Sequence, residues 1–321
     1  MFKSTLILAG VLLAPIAGHA NEAANYPEKP IRIVVPYLPG GAADVITRRL
    51  AERLSLRVKQ PIVIDNRPGG NTLIGTEAVM KAAPDGYTLY STNTTLVQMP
   101  FLYPGRYNAL RDFRPIAQYA ESPLALAVLT SVPANTLKEY VAYLKSRPGQ
   151  TSYGTSGVGG TQHIFSEAFK RATGVDSVLV PYRGEPPLVT DFLGGRIDWF
   201  IATPHAVNPH VKAGKVKMLA VTGEQRFDLA PTVPSFKEEG ITDLVVVGWY
   251  ALFAPAATPT AIVEKLSREV SEIIRAPEFS QYLRDNGLVP TGLGHQEFAP
   301  KLRAIENAFG KMIKENNIKV E

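Results

Sequence analysis

Two glycine-rich turns carry the strongest chemical signal in the sequence: Pro39-Gly40-Gly41-Ala42-Ala43-Asp44 and Thr155-Ser156-Gly157-Val158-Gly159-Gly160-Thr161-Gln162. Each stands between a short strand-like run and the start of a helical pattern. The first N–H groups of a helix have no partner inside it, and the helix dipole makes that end attractive to an anion. Glycine lets the anion's oxygens approach the backbone closely. A dipole end contributes only about 0.3–1 kcal/mol, whereas each charge-assisted N–H bond is worth roughly 1.5–3 kcal/mol. The donors therefore decide. Tight turns alone would account for the glycines of either loop, but the matching positions of both favour a cradle for a small anion. Asp44 opens the first helix, where it either complements the dipole and caps N–H groups or meets a donor on the ligand.

Other chemistries find less support. Neither turn has Gly-Lys followed by Ser or Thr, so a P-loop is absent, and Gln162 stands where a dinucleotide fingerprint needs its third glycine. Ser156 lies in a strand-to-helix turn, but a nucleophile elbow needs glycine on both sides, and position 158 is valine. His163 is expected about two turns along the helix, on its face rather than beside Ser156 as a general base. His205, His210 and His295 show no metal spacing, and with no cysteine there is neither a disulfide, a thiolate site nor a thiol nucleophile. Basic residues are mixed with acids, which gives no nucleic-acid footprint. Trp249 and Tyr250 lie in an apolar run and read as core before ligand platform. Arg183 is either a carboxylate partner or a solvated loop residue.

These turns need scaffolding, and the surrounding pattern supplies it. Ile31–Val35 reads as a buried parallel strand, followed by an amphipathic helix from about Ala42 with Ile46, Leu50 and Leu54 on one face. Strand, loop and helix recur at 62–64, 66–71 and 73–83, then a strand at 87–91. Residues 92–115 read as irregular. A second set follows: strand 125–129, helix 137–144, the second glycine turn, helix 163–173, strand 178–180, helix 187–193, and strands 197–201 and 218–221. The chain returns through a strand at 245–253 and ends in helices at 262–275 and 298–316. Repeated βα units predict an α/β fold of two mostly parallel sheets. Two linkers, at 116–124 and 245–253, favour hinge closure. At 321 residues, with 45% hydrophobic and 20% charged, the chain is long enough for two domains and for a core that needs no covalent staple. The net charge of +5 permits an anionic partner without identifying one. Lys3, the apolar stretch 6–17 and Gly18-His19-Ala20 read as a secretory signal peptide cleaved after Ala20.

The ordered motifs resemble one family. Pro36-Tyr37 with Pro39-Gly40-Gly41 and Asp44, Asn66-Arg67-Pro68-Gly69, Pro84-Asp85-Gly86-Tyr87 and Tyr153-Gly154-Thr155-Ser156-Gly157 are followed by Val180-Pro181-Tyr182-Arg183-Gly184 and Gly194-Gly195-Arg196-Ile197-Asp198. Thr222-Gly223 with Arg226 and Val233-Pro234-Ser235 complete the series. Over essentially the whole mature chain this is similar to the Bug family, the TctC-type periplasmic solute-binding proteins of tripartite tricarboxylate transporters. The resemblance implies a two-lobed periplasmic-binding-protein fold of the Venus-flytrap type (type II) with two hinge segments. The lobes would be 26–118 with 250–321, and 119–249. It implies a monomeric, periplasmic, non-enzymatic carrier without cofactor or metal, which binds a small carboxylate between the lobes and delivers it to membrane permease subunits. A signalling role is the alternative; a hydrolase using Ser156 is the remote one. Carried onto this chain, the ligand contacts fall on Tyr37, Leu38, Gly40, Gly41, Ala42 and Asp44, and on Thr155, Ser156, Gly157, Val158, Gly159, Gly160, Thr161 and Gln162. Asn71, Tyr182, Arg183 and Ala202 stand beside them. Many family members place an acid or Asn where this chain has Ala202 and Thr203, a departure that favours a plain carboxylic acid over an amino acid. Gly40→Val or Gly159→Val is expected to abolish binding without unfolding the protein.

Overall fold

The computed structural model describes residues 25–320, so the leader and its cleavage site lie outside the described residues. Strand β1 (Ile31–Val35) is apolar on both faces, and Ile31, Ile33, Val34 and Val35 are fully buried. It pairs in parallel with β2 (Ile62–Asn66) and β3 (Thr88–Asn93). The right spacing for these crossovers comes from helices α1 (Ala42–Val58) and α2 (Leu73–Met80). Three antiparallel strands extend this sheet: β10 (Gly248–Pro255), β4 (Phe113–Ser122) and β11 (Val289–Gly294), in the order β11-β4-β10-β3-β1-β2.

The second sheet runs β7 (Ser177–Pro181), β6 (Thr151–Thr155), β8 (Trp199–Ala202), β5 (Ala125–Leu129) and β9 (Val216–Val221). Here β6 is parallel to β7 and β8, while β5 is antiparallel to β8 and β9. Helices α5 (Leu137–Lys145), α6 (Thr161–Thr173), α7 (Glu185–Leu193) and α8 (Pro204–Lys212) flank it. The result is a two-lobed α/β fold. Both sheets are mixed where the βα repeat predicts mostly parallel ones, because the strands that carry the chain between lobes pair antiparallel.

The crossings also differ from the predicted linkers at 116–124 and 245–253, the first being shorter and the second longer and earlier in the chain. Residues 116–122 and 248–253 are paired strands of the first sheet, Gly248 opposite Ser122, so residues 119–122 and 248–249 belong with that sheet. Only Pro123-Leu124 leads out; residues 222–247 lead back. The two crossings touch, since Leu124 N donates to Thr222 Oγ1 at 2.9 Å and Thr222 N donates to Leu124 O at 2.8 Å.

Residues 92–115 are not irregular: they form α3 (Thr95–Leu102) and α4 (Ala109–Asp112). Pro100 inside α3 hides the helix from propensity reasoning. Burial of Leu96, Val97 and Met99 holds it instead. Also unforeseen are α10 (Pro277–Asp285) and β11, whose proline and glycines are tolerated at a sheet edge. Helices α9 (Thr260–Arg275) and α11 (His295–Glu315) cover the first sheet. Helix α11 also reaches α6 of the second lobe, with Phe309 edge-on to Phe165 at 5.8 Å and Glu315 paired with Arg171 at 2.7 Å. Among the described residues no helix is long and apolar enough to cross a membrane.

Candidate functional site

The first turn is built around one buried carboxylate. Gly40 has φ +86°, a conformation that favours glycine, and Gly41 caps α1 in an extended conformation at φ −75°, ψ 165°. Asp44, third in the helix and 2% exposed, reaches back to take the Gly40 N–H on Oδ2 at 2.9 Å. The same oxygen accepts from Arg48 Nε at 2.9 Å, and Oδ1 accepts from Asn66 Nδ2 at 2.8 Å. Arg48 Nη2 closes the ring on Asn66 Oδ1 at 2.7 Å. Burial alone would raise the Asp44 pKa; the donors from Arg48, Gly40 and Asn66 outweigh it and hold the carboxyl below its ordinary range. Asp44 thus shapes the turn, and its charge is already paired with Arg48.

The second turn repeats the device. Gly159 has φ +77°, and Gly160 caps α6 at φ −74°, ψ 169°. The third helical residue, His163, accepts the Gly159 N–H on Nδ1 at 3.1 Å. This corrects the placement of His163 two turns away: α6 begins at Thr161, so the ring folds back onto the loop. Burial pushes its pKa down, which suits a neutral acceptor. No hydrogen bond joins it to Ser156 among the described residues. Ser156 N is held by Gln162 Oε1 at 3.1 Å, and buried Thr155 braces the turn by donating from Oγ1 to Gly157 O at 3.1 Å.

With Gly40 and Gly159 engaged, the donors left over are the next ones along. The N–H groups of Ala42 and Ala43, and of Thr161 and Gln162, have no hydrogen-bond partner among the described residues. They are the first two positions of α1 and of α6, as an anion site requires. A chain of contacts ties the two turns together. Tyr37, just after β1, donates to Asn93 Oδ1 at 2.6 Å and meets Thr95 Oγ1 at 2.7 Å at the start of α3. Gln98, one turn along α3, bonds Thr161 Oγ1 at 3.0 Å. Burial pushes the Tyr37 phenol up to about 12, against the pull of its hydrogen bonds, so it stays a neutral donor. Each turn also presents an exposed apolar side chain, Leu38 and Val158.

An acid that sequence reasoning missed sits beside the second turn. Glu185 Oε1 accepts from Gln162 Nε2 at 2.7 Å and Thr203 N at 3.0 Å, and Oε2 accepts from Thr203 Oγ1 at 2.8 Å. Burial raises its pKa above the usual carboxylate range, although the hydrogen bonds from Thr203 and Gln162 and, last, the charge of His205 pull the other way. Pro186 and Pro187 mark position 185 as the first turn of α7, where an acid complements the dipole; that was the available signal. From the first lobe Tyr250 feels the charge of Glu185, after burial and Tyr37, as a further rise in its phenol pKa.

Several expected contacts lie elsewhere. Ala202 is fully buried in β8, so its side chain is not available, and the polar neighbour Thr203 stands at that strand end instead. Asn71 donates to Tyr103 at the end of α3 at 2.9 Å, and the Tyr182 hydroxyl donates to Asp191 of α7 at 2.9 Å. Tyr182 still borders the second turn through its N–H, bonded to Thr155 O at 2.8 Å. Arg183 is exposed and has no ion pair among the described residues. Trp249 is core, packed on Phe253 and Phe298.

The two turn glycines are not equivalent probes. A Cβ on Gly40 meets nothing within 4 Å, so Gly40→Val has only the left-handed backbone to contend with, about 1–2 kcal/mol. On Gly159 it would lie 2.5 Å from Val320 Cγ1 and 3.0 Å from Leu102 Cδ1, where the second turn abuts the first lobe. Gly159→Val should therefore lose a further ~1–3 kcal/mol through overpacking. Paired denaturation curves check this; equal losses would mean the two turns are equally open.

The family model described as "Tripartite tricarboxylate transporter family receptor" (TctC) matches residues 46–318. BugT of Bordetella pertussis is 32% identical over 289 residues, 89% of this chain and 89% of its own length. Rpa4515 of R. palustris, solved with adipate, is 31% identical with a TM-score of 0.82, covering 92% of this chain and 99% of its own. MatC from Rhodopseudomonas palustris, solved with bound malate, is 27% identical with a TM-score of 0.78, covering 90% and 100%.

Proposed function

Since the chain belongs to the tripartite tricarboxylate transporter receptor (TctC) family, we propose that it is a monomeric periplasmic solute-binding protein. It captures a small carboxylate between its lobes and presents it to the membrane permease. The observation that carries this reading is the pair of matched helix entrances, each with its turn glycine already hydrogen-bonded and its first two helical N–H groups left over. One carboxylate has two oxygens and about four acceptor positions, which suits donors from two elements. The relatives solved with adipate and with malate support a carboxylate ligand. The ligand meets one lobe first, and the second closes about the adjoining crossings at 123–124 and 222–247, a population shift selected by differential contacts. No cofactor and no covalent step is needed.

Thermal melts of refolded, ligand-stripped protein test this against a panel of mono-, di- and tricarboxylates, aromatic acids and amino acids. A true ligand at a hundred times its dissociation constant should stabilise by about 2.7 kcal/mol. A panel in which no carboxylate raises the melting temperature would overturn the reading.

A further inference from the structure

We propose that Glu185 selects the far end of the ligand: the site takes a carboxylate that carries an ammonium group at its other end and disfavours a second carboxylate. This rests on the reading of the helix entrances as the carboxylate site. The three hydrogen bonds to Glu185 all come from uncharged groups, Gln162 Nε2, Thr203 N and Thr203 Oγ1. Among the described residues no cation lies within ion-pair distance of it. A carboxylate drawn out of water is ordinarily matched by a cation. Its two oxygens can accept about four hydrogen bonds, and the three in place leave capacity on Oε2.

None of the groups around it makes a direct ion pair with it among the described residues. Arg183, two residues earlier, is exposed and makes no ion pair; His205 in the first turn of α8 is near enough for its charge to pull the Glu185 pKa down, but it is exposed and makes no hydrogen bond or ion pair with the acid among the described residues. Tyr250, which meets the charge of Glu185 from the first lobe, is kept as a neutral phenol by burial. Gln162 joins the two ends of the site: its backbone N–H is among the open donors of α6, and its side chain holds Glu185. A positive helix entrance and an unpaired acid are thus one side chain apart. A zwitterion complements both ends, whereas a dicarboxylate sets like charges side by side. Position 202 is no longer a reason to exclude an amino group, since the acid missing from that strand is supplied by α7.

Isothermal titration with chain-matched pairs tests the proposal: succinate against 3-aminopropanoate, glutarate against 4-aminobutyrate, and adipate against 5-aminopentanoate. In the wild type the ammonium member of at least one pair should bind tenfold or more tightly than its dicarboxylate. Glu185→Gln should erase that preference, and Glu185→Asp should keep its direction; a merely structural role would weaken both members alike. The wild-type ratio is measured first, so it decides even if Glu185→Gln fails to fold. Dicarboxylates binding as well as or better than their partners, or an unchanged ratio in Glu185→Gln, would overturn the inference and leave the carboxylate reading intact. So would binding confined to carboxylates outside these pairs. Failure of every carboxylate to bind would overturn both.

Discussion

Ala42→Pro should leave the fold standing and weaken carboxylate binding roughly 10- to 100-fold, the loss expected from one charge-assisted N–H bond of about 1.5–3 kcal/mol. Ala42 is the first residue of α1, the one helical position where proline is welcome, because its missing N–H would have had no partner inside the helix. The residue before it, Gly41, already has the extended conformation that a following proline demands, at φ −75° and ψ 165°. Ala42 is exposed, so the ring meets solvent and not core. The substitution therefore removes a donor while keeping the scaffold. Ala42→Ser, which keeps the N–H and adds modest bulk, should lose far less. Titration of the strongest-binding carboxylate, alongside melts without ligand, separates the two effects. Undiminished affinity in a stable Ala42→Pro protein would place the anion away from the first turn.

What made the first turn legible in the sequence was local. Strand β1 is apolar on both faces, Pro39-Gly40-Gly41 breaks the chain, and Ile46, Leu50 and Leu54 recur at helical spacing; each signal acts within a few residues. The equivalence of the turns was half visible. Glycines could be aligned by eye, but Asp44 and His163 share a task that no similarity of type announces: one charged and one neutral side chain each return from the third helical position to the turn glycine. Glu185 was hidden for another reason. It is close to Gln162 and Thr203 only because β6, β7 and β8 lie in one sheet with their following helices entering on the same side. Such a meeting is a property of topology. Helix α3 shows the opposite failure, in which Pro100 argued locally against a helix that burial then enforced.

The same comparison of the turns predicts where stability is concentrated. Asp44→Asn should destabilise the protein by about 2–4 kcal/mol at pH 7, because it discharges a buried group that Arg48 and Asn66 are arranged to meet. The amide keeps one acceptor but turns a donor toward another donor, Arg48 or the Asn66 amide. The loss has a pH signature. The folded-state pKa of Asp44 is depressed below the unfolded value of about 3.9. Its contribution is therefore complete above that unfolded value and disappears as pH falls through the folded one. Chemical denaturation of wild type and variant at pH 7 and at pH 3 should show a gap that is full at the first and reduced at the second. If the amide nitrogen takes the place of Oδ2, the Gly40 N–H is released with Arg48, the first two N–H groups of α1 lose their fixed aim, and carboxylate binding should fall with stability. A gap that persists undiminished at pH 3 would show that Asp44 acts through shape and not through charge, and the matched geometry of the two turns would then need only a side chain of the right length at the third helical position.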